Sequence, residues 1–246
     1  MGHPSFWSSR TRTVESMATL HHHPLCPHSR FIRLVLGELG LETDLIEENI
    51  WERSQQFLML DPQGRTPVFV EDQIGAVPGA SVIAEYLDET RGLALGDRRL
   101  LPDDPRGRVE VRRLMEWFNG KMYGEVTDYL VTEKVFKRLM SSQAGGGAPD
   151  TAAIRAGRSN IRYHLAYVGY LMRARNWLAG DRLSYADLAA AAQFSCADYL
   201  GDVPWQDNEA AKQWYARIKS RPSFRPLLND RISGMIAADH YADLDF

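Results

Sequence analysis

The chain is 246 residues long, 44% hydrophobic and 25% charged, with a formal net charge of −3. That balance suits a globular protein of one or two domains, each long enough to bury a sizeable core. It gives no electrostatic reason to expect nucleic acid as a partner, and no apolar run approaches the roughly 18 residues that a membrane span needs.

Residues 1 to 16, "MGHPSFWSSRTRTVES", lack the continuous apolar segment of a secretory signal. Met17 then opens a well-patterned stretch, so 1 to 16 read as a leader or an over-long start outside the fold. Thr19 to His23 read as a strand that Pro24 ends. Ser29 to Leu39 carry Phe31, Ile32, Val35, Leu36 and Leu39 at helical spacing, with Gly40 placed to terminate the helix. "TDLIEE" (43 to 48), "PVFVE" (67 to 71) and "IGAV" (74 to 77) read as three further strands, and Ser81 opens a helix in "SVIAEYLDE". This β-α-β then β-β-α order argues for a small mixed sheet with helices packed on it.

After "LLPDDPRGR" the pattern is helical only. Val111, Leu114, Met115, Phe118, Met122, Val126 and Leu130 recur at steps of three and four, as do Ile161, Leu165, Val168 and Met172. The Gly-rich "SSQAGGGAPD" between them reads as a flexible connection, since no Gly-Lys-Ser/Thr follows to cradle phosphate. Further helices fit 184 to 200, 208 to 220 and 222 to 230.

The crowded stretch "HHHPLCPHSR" (21 to 30) raises the question of a metal or thiol site. Successive strand residues point to opposite faces, so His21, His22 and His23 cannot all converge on one ion, and no metal site is expected. Cys26 and Cys196 are the only cysteines. They imply no disulfide framework and suit a reducing, cytoplasmic setting. Cys26 sits at the N-terminal end of the first predicted helix, where the helix dipole favours thiolate. Cys26 is therefore a candidate nucleophile, against the plainer alternative of a loop cysteine, and Ser29 reads either as a helix cap or, alternatively to Cys26, as a hydroxyl of the site.

Five stretches in order resemble glutathione S-transferases: "PLCPHSRFIRLVLGELGL", "FLMLDPQGRTPVFVED", "SVIAEYLDE", "LAGDRLSYADLAAAA" and "WYARIKSRPSF". The resemblance covers roughly residues 18 to 230. It implies a thioredoxin-like α/β domain at 17 to 97, a linker at 98 to 104, an all-α domain at 105 to 231 and a tail at 232 to 246, assembled as a homodimer. It also implies a cis peptide at Pro67 and a glutathione site drawing on Cys26, Ser29, Pro67, Val68, Ala80 and Ser81. Ser184 and Asp187 fit the family's capping box.

One position departs from the family. Ala80 stands where transferases carry an acidic residue or glutamine that holds the γ-glutamyl end of glutathione. Losing a charge-assisted partner costs roughly 1.5–3 kcal/mol, or about one to two decades of affinity. The glutathione site therefore reads as vestigial, with no cofactor expected; glutathione enters only if the chain is a transferase or thiol reductase using Cys26 or Ser29. The whole pattern is similar to the bacterial, GST-like cell-division proteins of this superfamily. That likeness implies a non-catalytic dimer, cytoplasmic and recruited to the division site, which curves or bundles filaments of the tubulin-like protein FtsZ and regulates constriction.

The tail "ISGMIAADHYADLDF" interleaves Tyr241, Leu244 and Phe246 with Asp239, Asp243 and Asp245. It shows neither a sustained helical period nor strand alternation. It reads as a frayed end or as a recognition segment led by Tyr241, Leu244 or Phe246. Asp243 and Asp245 are then placed at the rim, with little contribution to the fold.

Overall fold

The computed structural model describes residues 18–244, so the reading of 1 to 16 and the tail positions Asp245 and Phe246 lie outside the described residues. The N-terminal part is a four-stranded sheet in the order β2-β1-β3-β4. Its strands are β1 (Thr19–His22), β2 (Asp44–Glu47), β3 (Val68–Glu71) and β4 (Gly75–Pro78). β1 runs parallel to β2 and antiparallel to β3, with Leu20 opposite both Leu45 and Phe69; β3 and β4 are antiparallel. A parallel pair needs a crossover, and α1 (Pro27–Leu39) supplies it. The helix begins two residues before the apolar spacing predicts because Pro27 is pre-set for its first turn. Gly40, at φ 68, ends it: the Gly40 amide bonds Gly37 and the Leu41 amide reaches Leu36 at 3.0 Å. α2 (Gln55–Leu60) and α3 (Ala80–Arg91) complete this part.

α4 (Pro105–Glu116) opens the helical part, capped by Asp104, which accepts the Gly107 amide at 2.7 Å. It continues unbroken through π-turns at Trp117–Thr127, α5 (Asp128–Val131), π-turns at Thr132–Phe136 and α6 (Lys137–Leu139). The apolar spacing predicts an ordinary α-helix here; the structure keeps the helix and loosens it in two stretches. α7 (Thr151–Met172), α8 (Tyr185–Tyr199), α9 (Glu209–Lys219) and α10 (Arg225–Leu228) follow. α8 is buried at every position, as a helix without a polar face must be. Its start rests on Asp187. One carboxylate oxygen accepts the Ser184 amide and hydroxyl at 3.0 and 2.9 Å; the other accepts the Leu178 amide at 2.9 Å and the Trp214 indole at 3.0 Å.

Arg30, fully buried in α1, joins the two parts. Its guanidinium donates to Pro24 O (2.6 Å), Ser195 Oγ (3.0 Å), Tyr241 Oη (3.0 Å) and Asp230 Oδ2 (3.3 Å). Arg33 adds a two-pronged pair to Asp230 at 2.9 Å on each side.

The tail is a correction to the sequence reading. Tyr241 is 1% exposed, so it is not free to dock on a partner. Its hydroxyl donates to Leu227 O at 3.0 Å, and its ring meets Tyr199 edge-on at 5.0 Å. The tail backbone is tied as well, Ala238 N donating to Tyr199 O at 2.9 Å. No periodicity marks this segment because a single turn, Asp239–Ala242, delivers a single aromatic. Asp243 and Leu244 stay exposed.

The histidine run divides between the faces of β1 and the turn beyond it. His21 pairs with Glu48 at 2.7 Å. His22 and His23 are buried, His23 standing edge-on to Phe136 at 4.9 Å and to Trp51 at 5.7 Å. Burial, reinforced by Arg33 for His22 and by Arg30 for His23, pulls both down to about 4. Among the described residues no group of three or more His, Cys, Asp or Glu could hold a metal ion, and no helix is long and apolar enough to cross a membrane.

Two outcomes follow from this packing. Tyr241→Ala removes a buried aromatic with its hydrogen bonds and should lower unfolding stability by about 3–5 kcal/mol. Urea titration reads this directly, and truncation after Ile236 should melt far below the full chain. The second outcome concerns acid. Between the ordinary histidine value of 6.5 and the folded value of about 4, the unfolded chain binds protons that the folded chain excludes at His22 and His23. Their contribution is whole above that window and is lost as pH falls through it, by a few kcal/mol in order of magnitude. Urea midpoints should decline from pH 6.5 to 4, and His23→Phe should flatten the decline.

Candidate functional site

The N-terminus of α1, the Thr66–Pro67 peptide and the first π-turns of the helical part meet at one cleft. Thr66–Pro67 is cis. Pro67 O accepts the Gly79 amide at 3.1 Å, and Val68 pairs with Pro78 across β3 and β4. Gly79 caps α3 at φ 89, a conformation that favours glycine. The first turn of α3 therefore opens on the cleft, with Ser81 exposed and Ala80 buried.

Cys26 is the N-cap residue of α1 and is partly exposed. Its sulfur donates to Thr66 O at 3.5 Å. Burial pushes the thiol up, but the bond and charge of His28, followed by the bonds to Ser29 and Thr66, outweigh it and bring the thiol down to about 7. His28 Nε2 lies 2.9 Å from Asn119 O. A carbonyl only accepts, so Nε2 carries the proton. Burial lowers the imidazole; the partnership with Cys26 and the Asn119 carbonyl overcome it, and the net shift is upward. The ring also stands against Tyr123, 4.6 Å between centroids.

The space beside these groups is a cavity of ≈ 400 Å³ lined by His28, Arg65, Thr66, Ala80, Ser81 and Asn119, among others. Thr66 Oγ1 and Asn119 Nδ2 on its wall are buried and have no hydrogen-bond partner. Of the residues named from sequence, Cys26, Pro67, Val68, Ala80 and Ser81 gather around the cleft. Ser29 lies beneath it, fully buried, and its Oγ accepts the His23 amide at 3.4 Å. Position 80 offers no carboxylate to an ammonium group. Asp61 nearby already accepts the Gln63 and Arg65 amides at 3.1 and 3.2 Å.

The sequence reading missed the His28 partnership with Asn119, 91 residues away, and the open polar atoms of Thr66 and Asn119. A local signal for the first half was present: an imidazole two residues after the thiol in "CPHS".

Residues 20–95 match the family described as glutathione S-transferase, N-terminal domain, and residues 151–222 match glutathione S-transferase, C-terminal domain. FtsZ-localized protein A of Caulobacter vibrioides is 47% identical over 231 residues, spanning 93% of this chain and 98% of that protein. Among solved structures, a glutathione S-transferase from Sinorhizobium meliloti is 55% identical with a TM-score of 0.92, covering 94% of this chain and 100% of that one. FzlA from C. crescentus is 47% identical with a TM-score of 0.86, again over 94% and 100%.

Proposed function

The chain belongs to the glutathione S-transferase family, and within it we propose a non-catalytic regulator of cell division that binds FtsZ filaments as a homodimer. In this reading it is cytoplasmic, is recruited to the division site, and promotes filament curvature or bundling and so constriction. The likeness to FtsZ-localized protein A along nearly the whole chain carries the proposal. Ala80 supports it from the other side, because position 80 carries no carboxylate for the amino end of glutathione. Among the tail candidates, Asp243 and Leu244 keep the exposure that contact with a partner requires, and Asp245 and Phe246 belong to the same proposal.

A second copy suits the face formed by α3, α4 and α7. Val82, Val109, Tyr163 and Tyr170 are exposed there. Salt-bridged Arg112 and Glu85 join α4 to α3, and Arg113 donates to Tyr167 Oη at 3.0 Å to join α4 to α7. Apolar side chains left in water around such a polar frame are the usual anatomy of an interface, and a two-fold dimer presents two copies of any filament-binding surface.

The competing reading is a glutathione-dependent transferase or thiol reductase, favoured by the Cys26–His28 pair. Co-sedimentation separates the two. The chain should pellet with polymerised FtsZ and stay in the supernatant without it, while passing through immobilised glutathione unretained. Failure to pellet, together with micromolar glutathione binding and conjugation of a chloronitrobenzene, overturns the division reading. Light scattering at micromolar concentration should give the mass of two chains, and Tyr170→Asp combined with Val109→Glu should give the mass of one.

A further inference from the structure

Two neighbouring residues hold the tail by different means. Tyr241 is fixed by packing and by Arg30, whereas His240 reaches a carboxylate. Its Nε2 donates to Asp198 Oδ1 at 2.9 Å, and Asp198, on α8, is wholly buried. The same oxygen accepts the Trp205 indole at 2.7 Å. The other accepts the Tyr215 hydroxyl at 3.2 Å and lies 3.6 Å from Lys219 Nζ. Lys219, buried as completely on α9, donates back to His240 O at 3.2 Å. A carboxylate and an ammonium of the helical core thus hold the side chain and the backbone of one tail residue. The imidazole itself is 37% exposed, so protons in solution reach it while its partner stays dry.

We propose that residues 238–242 are a proton-operated strap, in which His240 closes the tail onto Asp198 more tightly when its imidazole is charged. The neutral ring can still donate to Asp198, so loss of the proton weakens the strap without abolishing it. Charge adds the attraction between an imidazolium and a carboxylate out of contact with water, which a low local dielectric strengthens. His240 O also accepts the Asp243 amide at 3.1 Å, so the setting of the strap passes to the exposed Asp243 and Leu244. Those two residues belong to the partner surface proposed for the tail. The strap stands without that surface, since every group that operates it lies in this chain.

The groups bearing on the ring come from three elements: Asp198 from α8, Lys219 from α9, and Asp239 from the tail. The bond to Asp198, with the charges of that carboxylate and of Asp239, outweighs burial and Lys219, and the docked imidazole lies above its ordinary 6.5. Asp243 acts on Lys219 in turn. Tyr215 shares the carboxylate and stays protonated, because burial pushes its hydroxyl well above the ordinary value. Release of the tail returns the ring toward 6.5, so the docked strap keeps a proton that the released one gives up. The contribution of that proton to docking is whole below 6.5 and is lost as pH rises through the docked value.

Hydrogen exchange of the full chain, with no partner added, reads the strap directly. The Ala238 amide donates to Tyr199 O and the Tyr241 amide to Ala238 O. Their protection factors, corrected for the intrinsic pH dependence of exchange, should fall several-fold between about pH 6 and 8.5. His240→Gln keeps a donor for Asp198 and binds no proton, so its protection should be flat over that range. In the wild type, the His240 ring followed by NMR should titrate with a midpoint above 6.5. The proposal is overturned by a midpoint at or below 6.5, by wild-type protection that is flat or rises with pH, or by a wild-type slope that survives in His240→Gln. Should His240→Gln not fold, the wild-type ring titration and protection profile decide, and either of the first two results overturns it.

Discussion

A guanidinium taken wholly out of water must have its donors met, because each unmet charge in the interior costs several kcal/mol. Arg30 meets that demand with acceptors from the turn after β1, from α8 and from the segment beyond α10. α1 therefore cannot slide against α8 without stranding a charge. The far end of α1 is fixed as closely. A Cβ at Gly37 would come within 2.9 Å of Ser223 Cα, and Glu38 takes both prongs of Arg221 at 2.6 and 2.7 Å. Pinned at both ends, α1 presents its first turn in one position, which sets the Cys26 sulfur against Thr66 and the His28 ring against Asn119.

The features legible in the sequence are those whose cause is local. Pro27 and Gly40 bracket α1, the alternation of β3 shows within four residues, and the Ser184–Asp187 pair is read from a spacing of three. The cleft was legible as a set of positions because the family motifs carry Cys26, Pro67 and Ala80 in order. What stayed hidden involves partners far apart in the chain: Arg30 with Tyr241, 211 residues on, and His28 with Asn119. No periodicity encodes such pairs. The tail misled for the same reason. A segment of one turn with one buried ring has no period to show, and aromatics interleaved with aspartates look alike whether they face a partner or their own core. Ser29 is the converse case: its spacing suits a cleft hydroxyl, and only the packing of α1 against the β1 turn places it underneath.

The π-turns that begin at Trp117 bear on the site itself. They loosen the helix where Asn119 faces α1, and π-turns recur at functional sites because they redirect backbone groups. Here a carbonyl of the helical part accepts a hydrogen bond from the imidazole of the α/β part, so the ring is held across the cleft.

The two requirements of a glutathione site have come apart in this chain. By the resemblance, holding the tripeptide needs an anion at the start of α3, and position 80 carries alanine. The surroundings of the Cys26 thiol, with Thr66 O at the sulfur and His28 held by Asn119 O, do not involve the side chain at position 80. The residue at position 80 therefore leaves the surroundings of the sulfur untouched, and one fold can carry different uses. The coupling runs through His28. Its bond to Asn119 exists only while the two parts stay in register.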